Sequence, residues 1–455
     1  MLLGSWTTDD WAIHLVQLPL SVVQAVVFGI FGVGLVQARF ISVAATVAMA
    51  AVLLLGLRRP LGLAGATVAA VGSSLSALTL YYGRLALLEP GVALALSVAA
   101  VAAVAVERGS VRRWAVVCGV ALAVAIGLKA NAVPSAVGIL LAVGLRGVRE
   151  RSVRPFPVIA AVIIGLSGLV WFVLVALPNA AAVREMLSIL PIGTAPGSIE
   201  GLIRDIVTYV SVNDGVARLA RPLIVGAVAG LLIVVVDLAL RSRLPATSER
   251  AVAAPAGGLT DGSAPMSGPT RVALVGLLWV VFGLVGVASI SYQPNRYVVP
   301  VLPGLALLAG AGMAVVAART AGRALPIRAA ALASVVILLA APGIAVDGEW
   351  VASTGHNALD GQAAVERLVP AGATVAGGYA PLFAMRSPVV TAILFEGTSM
   401  NARDLYANGV RWAIEPRGLA PVWVAEHPAA WAARRELWCI DWGRSARPVC
   451  LSELP

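Results

Sequence analysis

Long apolar runs separated by short polar or basic segments dominate the chain from residue 16 to residue 346. A helix needs roughly 20 apolar residues to cross the hydrocarbon core of a bilayer, and ten of the runs approach that length. The pattern therefore predicts an all-α polytopic membrane bundle of 10–11 transmembrane helices. The ten spans are expected at about 41–57, 63–81, 91–106, 114–128, 132–146, 157–177, 222–240, 272–290, 298–317 and 328–346.

An eleventh apolar stretch, residues 15–36, is ambiguous between a span and a helix on the membrane surface. It contains Gln17, Pro19 and Gln24 as well as several glycines, and such interruptions weaken the hydropathy signal of a simple span. If the stretch spans, the amino terminus is cytoplasmic. If it lies along the outer surface, the amino terminus is already outside, and hydropathy alone leaves both arrangements open.

The basic residues between the predicted spans divide unevenly over the two sides of the membrane. One set of loops, which includes Arg58, Arg112, Arg149 and Arg319, holds sixteen arginines, whereas the opposite set holds eight basic residues. Cytoplasmic loops of membrane proteins carry the excess of Lys and Arg. The first set is therefore predicted to be cytoplasmic in a multi-pass plasma-membrane protein, and the region from about 348 onward is predicted to face outward.

Two segments within the predicted membrane domain, residues 1–347, have patterns of their own. Apolar residues at helical spacing between Ile199 and Val210 predict an interfacial amphipathic helix within the long outward loop 178–221. Residues 243–270 are rich in Ala, Gly, Pro, Ser and Thr, which is typical of a flexible linker. We expect this linker to lie on the cytoplasmic side and to join two halves of the bundle.

Residues 348–455 alternate short strand-like and helix-like runs, which predicts a small extracytoplasmic α/β domain. The strand-like runs are Ala373–Gly377, Val389–Phe395, Val410–Ile414, Val422–Val424 and Leu437–Ile440, and the helix-like runs are Gly361–Leu368, Ala402–Asn408 and Pro428–Glu436. Cys439 and Cys450 are a disulfide candidate if this end lies in an oxidising compartment.

The composition excludes disordered and soluble globular proteins. Of the 455 residues, 59% are hydrophobic and only 12% are charged, against about 25% charged in soluble chains, and the mean hydropathy is +0.91. The net charge of +10 is distributed between the spans instead of covering one compact face. The lipid bilayer is therefore the expected partner, and nucleic acid is not.

Charged residues at the outer edges of the spans are the candidate functional residues, because ionisable groups are costly in a membrane. Asp9 and Asp10 form an acidic pair that could bind a metal or a sugar, or could belong to a frayed terminus. Arg84 and Glu89 share one connecting turn, where they either face a common cavity or form a structural ion pair. Lys129, the sole lysine, lies between two spans. It is either a functional residue or a lysine whose side chain only snorkels to the headgroups.

A fourth candidate is the polar loop that leads into the span at 298–317. It carries Tyr292, Asn295, Arg296 and Tyr297. The guanidinium of Arg296 suits a phosphate, and structural anchoring at the interface is the alternative interpretation.

One outward cavity with Arg84, Lys129 and Arg296 around an acid would fit a particular substrate. That substrate is a lipid-linked anionic group whose tail stays in the bilayer. The cations would stabilise a departing phosphate, and a carboxylate would activate the attacking hydroxyl or amine.

At these residues the chain resembles the membrane-embedded GT-C glycosyltransferases, in particular the family 39-like branch of protein mannosyltransferases and aminoarabinose transferases. The matching pieces occur in the family's order over about residues 4–320, and the Arg-Tyr-x-x-Pro-x-x-Pro piece is the most specific of them. They are Gly29–Gly34, Ala38–Ser42, Arg58–Arg59, Gly83–Pro90, Gly127–Lys129 and Asn295–Pro303.

The resemblance implies transfer of a sugar from a polyprenyl-phosphate-linked donor on the outer face, with inversion at the anomeric carbon. The acceptor would be a protein, a lipid or a cell-wall glycan. The resemblance places Glu89 at the second acidic site, near the acceptor or a metal, with Mg²⁺ or Mn²⁺ as a possible cofactor. It also matches the 15–36 stretch to a membrane-skirting helix, which favours the surface arrangement.

The sequence departs from this family at its start, where the first span and an Asp-Glu pair that acts as base have no counterpart. We expect either that the natural protein begins upstream or that the chain as written is inactive. Asp9 and Asp10 are the residues of this sequence that could stand in for the missing pair. The alternatives to an enzyme are a catalytically inactive relative that serves as a membrane binding partner and a lipid-linked-sugar transporter.

Overall fold

Membrane helices make up most of the computed structural model, and a small sheet domain follows them. The helix bounds and contacts below concern the residues that the structure describes. These are residues 18–85, 87–106, 110–180, 184, 198–211, 214–243, 266–290, 294–352, 357–392, 405–407, 409–418, 424, 427–441 and 447–455.

The first described helix, α1, is short and lies beside the bundle. It spans Leu18–Phe31, 14 residues, or about 21 Å, which is too short for a hydrocarbon core of about 30 Å. It ends at Gly32, whose φ of 79° is in the left-handed region that glycine adopts most readily. Pro19 packs against Gly127, and apolar side chains such as Ile30 stay exposed. The described part of 15–36 is therefore a short helix with exposed apolar side chains at the edge of the bundle.

The second helix, α2, contains two predicted spans in one run. It covers Leu35–Ser74 and turns at Gly62, where φ is 67° and ψ is 177°. Gly56 packs against Val101, and Gly65 packs against Gly310, so the two halves contact different helices. The run at 63–81 is not one helix, because α2 ends at Ser74 and a short helix restarts at Ala77.

All ten predicted spans have helical counterparts. Among the described residues, eight helices are long and apolar enough to cross a membrane. The first of these, α2, holds two spans, and the helix that begins at Glu89 adds a shorter one of 17 residues. After α2, the helices are α3 Ala77–Gly83, α4 Glu89–Ala105, α5 Val111–Leu128, α6 Val133–Arg149, α7 Pro155–Trp171, α8 Ile199–Ser211, α9 Asp214–Arg243, α10 Gly268–Ala288, α11 Leu302–Arg319 and α12 Leu325–Ala352.

Helix α8 confirms the predicted amphipathic helix in the loop 178–221. The segment predicted to be a flexible linker lies largely outside the described residues, between the end of α9 and the start of α10.

Glycines allow the helices to pack closely where a bilayer supplies no hydrophobic driving force between them. A Cβ on Gly138 would collide with the backbone of Leu278, and one on Gly312 would collide with the backbone of Gly230. Helices α6 and α10, and likewise α9 and α11, therefore approach each other closely enough for backbone contact.

The two ends of the bundle carry different charge clusters. At one end, Arg146 donates to the carbonyl of Val106 and pairs with Glu150 at 2.9 Å. At the other end lies Glu89, the first residue of α4. Since α4 is about 25 Å long, the arginines predicted to be cytoplasmic and the candidate outer residues are separated by most of a membrane thickness.

The C-terminal region forms a five-stranded sheet in the order β2-β1-β3-β5-β4. β1 runs parallel to β2 and β3, whereas β5 runs antiparallel to β3 and β4. This confirms the small α/β domain. Its strands are β1 Thr374–Ala376, β2 Val390–Ala392, β3 Trp412–Pro416, β4 Arg435–Ile440 and β5 Val449–Glu453, and its helices are α13 Asn357–Leu368, α14 Ala380–Phe383 and α15 Pro428–Ala432.

Details of this domain differ from the sequence-based expectation. Helix α12 continues past residue 347 to Ala352, and α15 stops at Ala432 before β4 begins, so the predicted helix at 428–436 was too long. Strand β5 was not predicted. The runs 402–408 and 422–424 lie largely outside the described residues.

Cys439 and Cys450 lie opposite each other on β4 and β5 and form a disulfide. Cys118, the third cysteine, is free and buried in α5.

Candidate functional site

Glu89, Lys129 and Arg296 come together at one end of the bundle. The Nζ atom of Lys129 lies 2.5 Å from Oε1 of Glu89, and Nε of Arg296 lies 3.4 Å from the same oxygen. The Glu89 side chain is only 2% exposed. We name these three residues the cation cluster. Residues from three separate segments of the sequence therefore share one buried carboxylate.

Local backbone structure presents each member of the cation cluster. Glu89 and Pro90 open α4, where proline is favoured because the first turn needs no intrahelical N–H and where the helix dipole stabilises a carboxylate. Lys129 follows the last residue of α5 in an extended conformation, with φ of −160°. Arg296 lies in a 3₁₀ helix, Asn295–Val301, that begins after Pro294.

Tyr297 covers the cations. The Nζ atom of Lys129 lies 4.0 Å from the centroid of the Tyr297 ring, and Cζ of Arg296 lies 5.8 Å from it. Both distances are within the range of cation–π attraction. Tyr82 and Tyr297 pack against a common hydrophobic cluster.

Arg84 has a different acidic partner from the one that the sequence suggested. Its Nη1 atom lies 2.7 Å from Oδ1 of Asp347 on α12, and its guanidinium carbon lies 4.9 Å from the Tyr81 ring centroid. The structure therefore unites Lys129 and Arg296 at Glu89 and pairs Arg84 with Asp347. Sequence reasoning missed Asp347, because its position near the end of an apolar span carries no motif.

The connection between α3 and α4 is held in place by α2. Ser42 Oγ donates to the carbonyl of Leu87 at 2.9 Å and accepts from the Leu87 N–H at 3.1 Å. These two hydrogen bonds fix the chain two residues before Glu89. They also give a structural reason for the polar Ser42 in an apolar helix.

Tyr209 on α8 is a second residue that sequence reasoning missed. Its hydroxyl donates to the carbonyl of Pro294 at 2.9 Å. Burial raises the pKa of Tyr209 above its usual value, and Tyr82 and Tyr297 nearby add to the effect. The only signal in the sequence was a tyrosine within the amphipathic pattern of residues 199–210.

The remaining predicted site residues are less defined. Asp9, Asp10 and Tyr292 lie outside the described residues. Asn295 begins the 3₁₀ helix that carries Arg296 and is half-buried.

The described residues do not fit a divalent cation at Glu89, because its carboxylate already faces two cationic side chains. Elsewhere among the described residues, Glu436, Cys439 and Cys450 are close enough to share an ion, but both sulfur atoms belong to the disulfide. We therefore derive no step through a metal.

Comparison with known proteins gives a match at the level of structure. No protein-family model and no curated protein sequence matches the chain. The crystal structure of ArnT from Cupriavidus metallidurans bound to undecaprenyl phosphate matches with a TM-score of 0.55 and 16% identity, over 95% of this chain and 86% of that one. The apo structure of the same protein matches with a TM-score of 0.56 at the same identity and coverage. The chain therefore has the GT-C type of fold, a polytopic helical bundle with a small C-terminal α/β domain.

Proposed function

We propose that the chain is an integral membrane glycosyltransferase that moves a sugar from a polyprenyl-phosphate-linked donor to an acceptor on the outer face of the membrane. The observation that carries this proposal is the cation cluster, which lies at one end of a bundle whose fold is shared with ArnT. The ArnT structure holds undecaprenyl phosphate, which is the class of lipid that the cluster suits.

The electrostatics of the cation cluster favour a phosphate that gains negative charge. One ammonium and one guanidinium face a single carboxylate, so the cluster carries more positive than negative charge. A donor phosphodiester bears one negative charge, and the released monoester bears up to two. Fixed cations stabilise the transition state more than the ground state when charge develops beside them. Lys129 and Arg296 would therefore favour departure of the lipid phosphate.

In the proposed step, an acceptor hydroxyl or amine bonds to the anomeric carbon while the bond from that carbon to the phosphate oxygen breaks. The phosphate leaves with the electron pair, and the acceptor proton passes to a carboxylate. Because Glu89 already faces two cations, we assign it the role of positioning Lys129 and Arg296. Asp9 and Asp10 are the candidates for the base.

The arginine distribution supports transfer on the outer face. The residues predicted to be cytoplasmic, such as Arg146, lie at the opposite end of α4 from Glu89. The loops assigned to that side from the sequence hold sixteen arginines, and the loops assigned to the other side hold eight basic residues, which favours an outward cation cluster by the positive-inside rule. The C-terminal α/β domain and its disulfide would then be extracytoplasmic.

The test uses undecaprenyl phosphate as the probe and the full chain in lipid nanodiscs. We expect Arg296→Ala to weaken binding by on the order of tenfold to a hundredfold, because a hydrogen bond to a charged group contributes about 1.5–3 kcal/mol. Native mass spectrometry or fluorescence quenching gives the Kd.

Arg323→Ala is the matched control, since Arg323 is exposed after α11 at the other end of the bundle, and it should bind as the wild type does. Undecaprenol, which has the same tail without the phosphate, should bind both variants alike. An unchanged Kd for undecaprenyl phosphate in Arg296→Ala would contradict the proposal.

A further inference from the structure

Helix α8 presents two different faces. Ile199, Ile203 and Val207 follow a spacing of four residues and are 78%, 56% and 57% exposed. Tyr209, which points away from this stripe, is only 5% exposed. An exposed apolar face on such a helix suits the membrane interface. The opposite, buried face packs against the protein interior.

The buried face contacts the segment that presents Arg296. The carbonyl of Pro294 accepts a hydrogen bond from the hydroxyl of Tyr209 at 2.9 Å and a second from the backbone N–H of Tyr297, also at 2.9 Å. The second bond closes the first turn of the 3₁₀ helix. Tyr209 therefore donates a hydrogen bond to the same carbonyl that closes the turn from Pro294 to Tyr297.

This turn sets the positions of two groups at the site. Arg296, inside the turn, reaches Oε1 of Glu89, and Tyr297, at its end, covers Lys129. 3₁₀ helices have poorer hydrogen-bond geometry than α-helices. A side-chain bond from another helix is a physical means of keeping this turn in one conformation.

Packing strengthens the same contact. Tyr209 belongs to the buried cluster that includes Val298 and Leu302, and Tyr82 and Tyr297 pack against that cluster. Tyr209 and the residues that follow Arg296 therefore belong to the same buried cluster. Its hydroxyl is the one part of the side chain that fixes the turn by a directed bond.

We propose that Tyr209 is a positioning residue, which holds the Pro294–Tyr297 turn so that Arg296 and Tyr297 stay at Glu89 and Lys129. This inference rests on the proposed function, because it assumes that the cation cluster binds a lipid phosphate. Tyr209 acts through Arg296 and does not itself touch the phosphate.

The experiment measures undecaprenyl phosphate affinity of Tyr209→Phe in the full chain in nanodiscs. Phenylalanine keeps the ring packing and removes only the hydroxyl. We expect the Kd to rise by on the order of fivefold, the effect of losing one ordinary hydrogen bond. The unfolding temperature should change no more than it does in the control.

The chain offers a matched control in Tyr406, whose hydroxyl donates to the carbonyl of Pro455 at 2.9 Å in the C-terminal domain. Tyr406→Phe removes the same kind of bond at the same length, and its Kd should equal that of the wild type. A general effect of losing a tyrosine hydroxyl would appear in both variants.

A double-mutant cycle separates positioning from a structural role. In the Arg296→Ala background, Tyr209→Phe should change the Kd by a smaller factor than in the wild type, because Arg296 is gone and only Tyr297 remains to be positioned. If Tyr209→Phe binds as the wild type does while Arg296→Ala binds weakly, the positioning role is wrong and the proposed function stands. If the two effects multiply, Tyr209 does not act through Arg296. If Arg296→Ala binds normally, the proposed function itself fails.

Discussion

Glu89 is the residue that organises the cation cluster. Its side chain is 2% exposed, and Lys129 is 15% exposed, so both charges have lost most of their hydration. Buried ion pairs contribute little net stability, but removal of one partner is costly because the other charge stays buried. The carboxylate is thus needed to keep two cations side by side when no phosphate is bound.

We predict that Glu89→Gln lowers the unfolding free energy by about 3 kcal/mol, the lower end of the range for breaking a buried pair, because Arg296 is 35% exposed and partly hydrated. Thermal unfolding in detergent measures the change. Glu436→Gln is the control, since Glu436 also faces two arginines, at 2.9 and 3.1 Å, but is 27% exposed. A smaller loss of stability is expected there, and equal losses would mean that Glu89 is not effectively buried.

At the scale of elements, apolar runs predicted the number and positions of the spans but not the breaks between helices. The run at 63–81 becomes apolar again at Ala77 after Ser73, Ser74 and Ser76, so its average hydropathy did not reveal the end of α2 at Ser74. In the C-terminal domain, helix-forming residues continue from α15 towards β4. The sequence therefore did not indicate that a strand begins at Arg435. Hydropathy reports burial, whereas these boundaries depend on backbone geometry that tertiary contacts decide.

The turn in α2 gives a prediction at this scale. Gly62 has φ of 67° and ψ of 177°, a region that is essentially restricted to glycine. The space that a Cβ would occupy there is open, so Gly62→Ala is costly only through its backbone, by about 1–3 kcal/mol. Gly165 in α7 also has open space but no positive φ, and Gly165→Ala should be neutral or stabilising because alanine favours helices. Unfolding temperatures of the two variants provide the test. Equal temperatures would show that α2 does not turn at Gly62.

Across the whole molecule, the sequence predicted that Glu89, Lys129 and Arg296 would lie close together, but it did not predict the partner of Arg84. Glu89, Lys129 and Arg296 were named from their places at the ends of spans, and the fold unites them. Asp347 and Tyr209 were missed because their partners are far away in sequence, at Arg84 and Pro294. Such contacts follow from how ten spans pack, which a linear hydropathy pattern does not contain.

Turnover is the measurement that tests the central claim most directly. The full chain in nanodiscs would be given polyprenyl-phosphate-linked pentoses and hexoses together with membrane extracts as the source of acceptor, and the release of polyprenyl phosphate would be followed. We predict release by the wild type and by Arg323→Ala, and none above background by Arg296→Ala at matched protein amount and unfolding temperature. Release by Arg296→Ala at the wild-type rate would contradict the claim that the cation cluster promotes departure of the lipid phosphate.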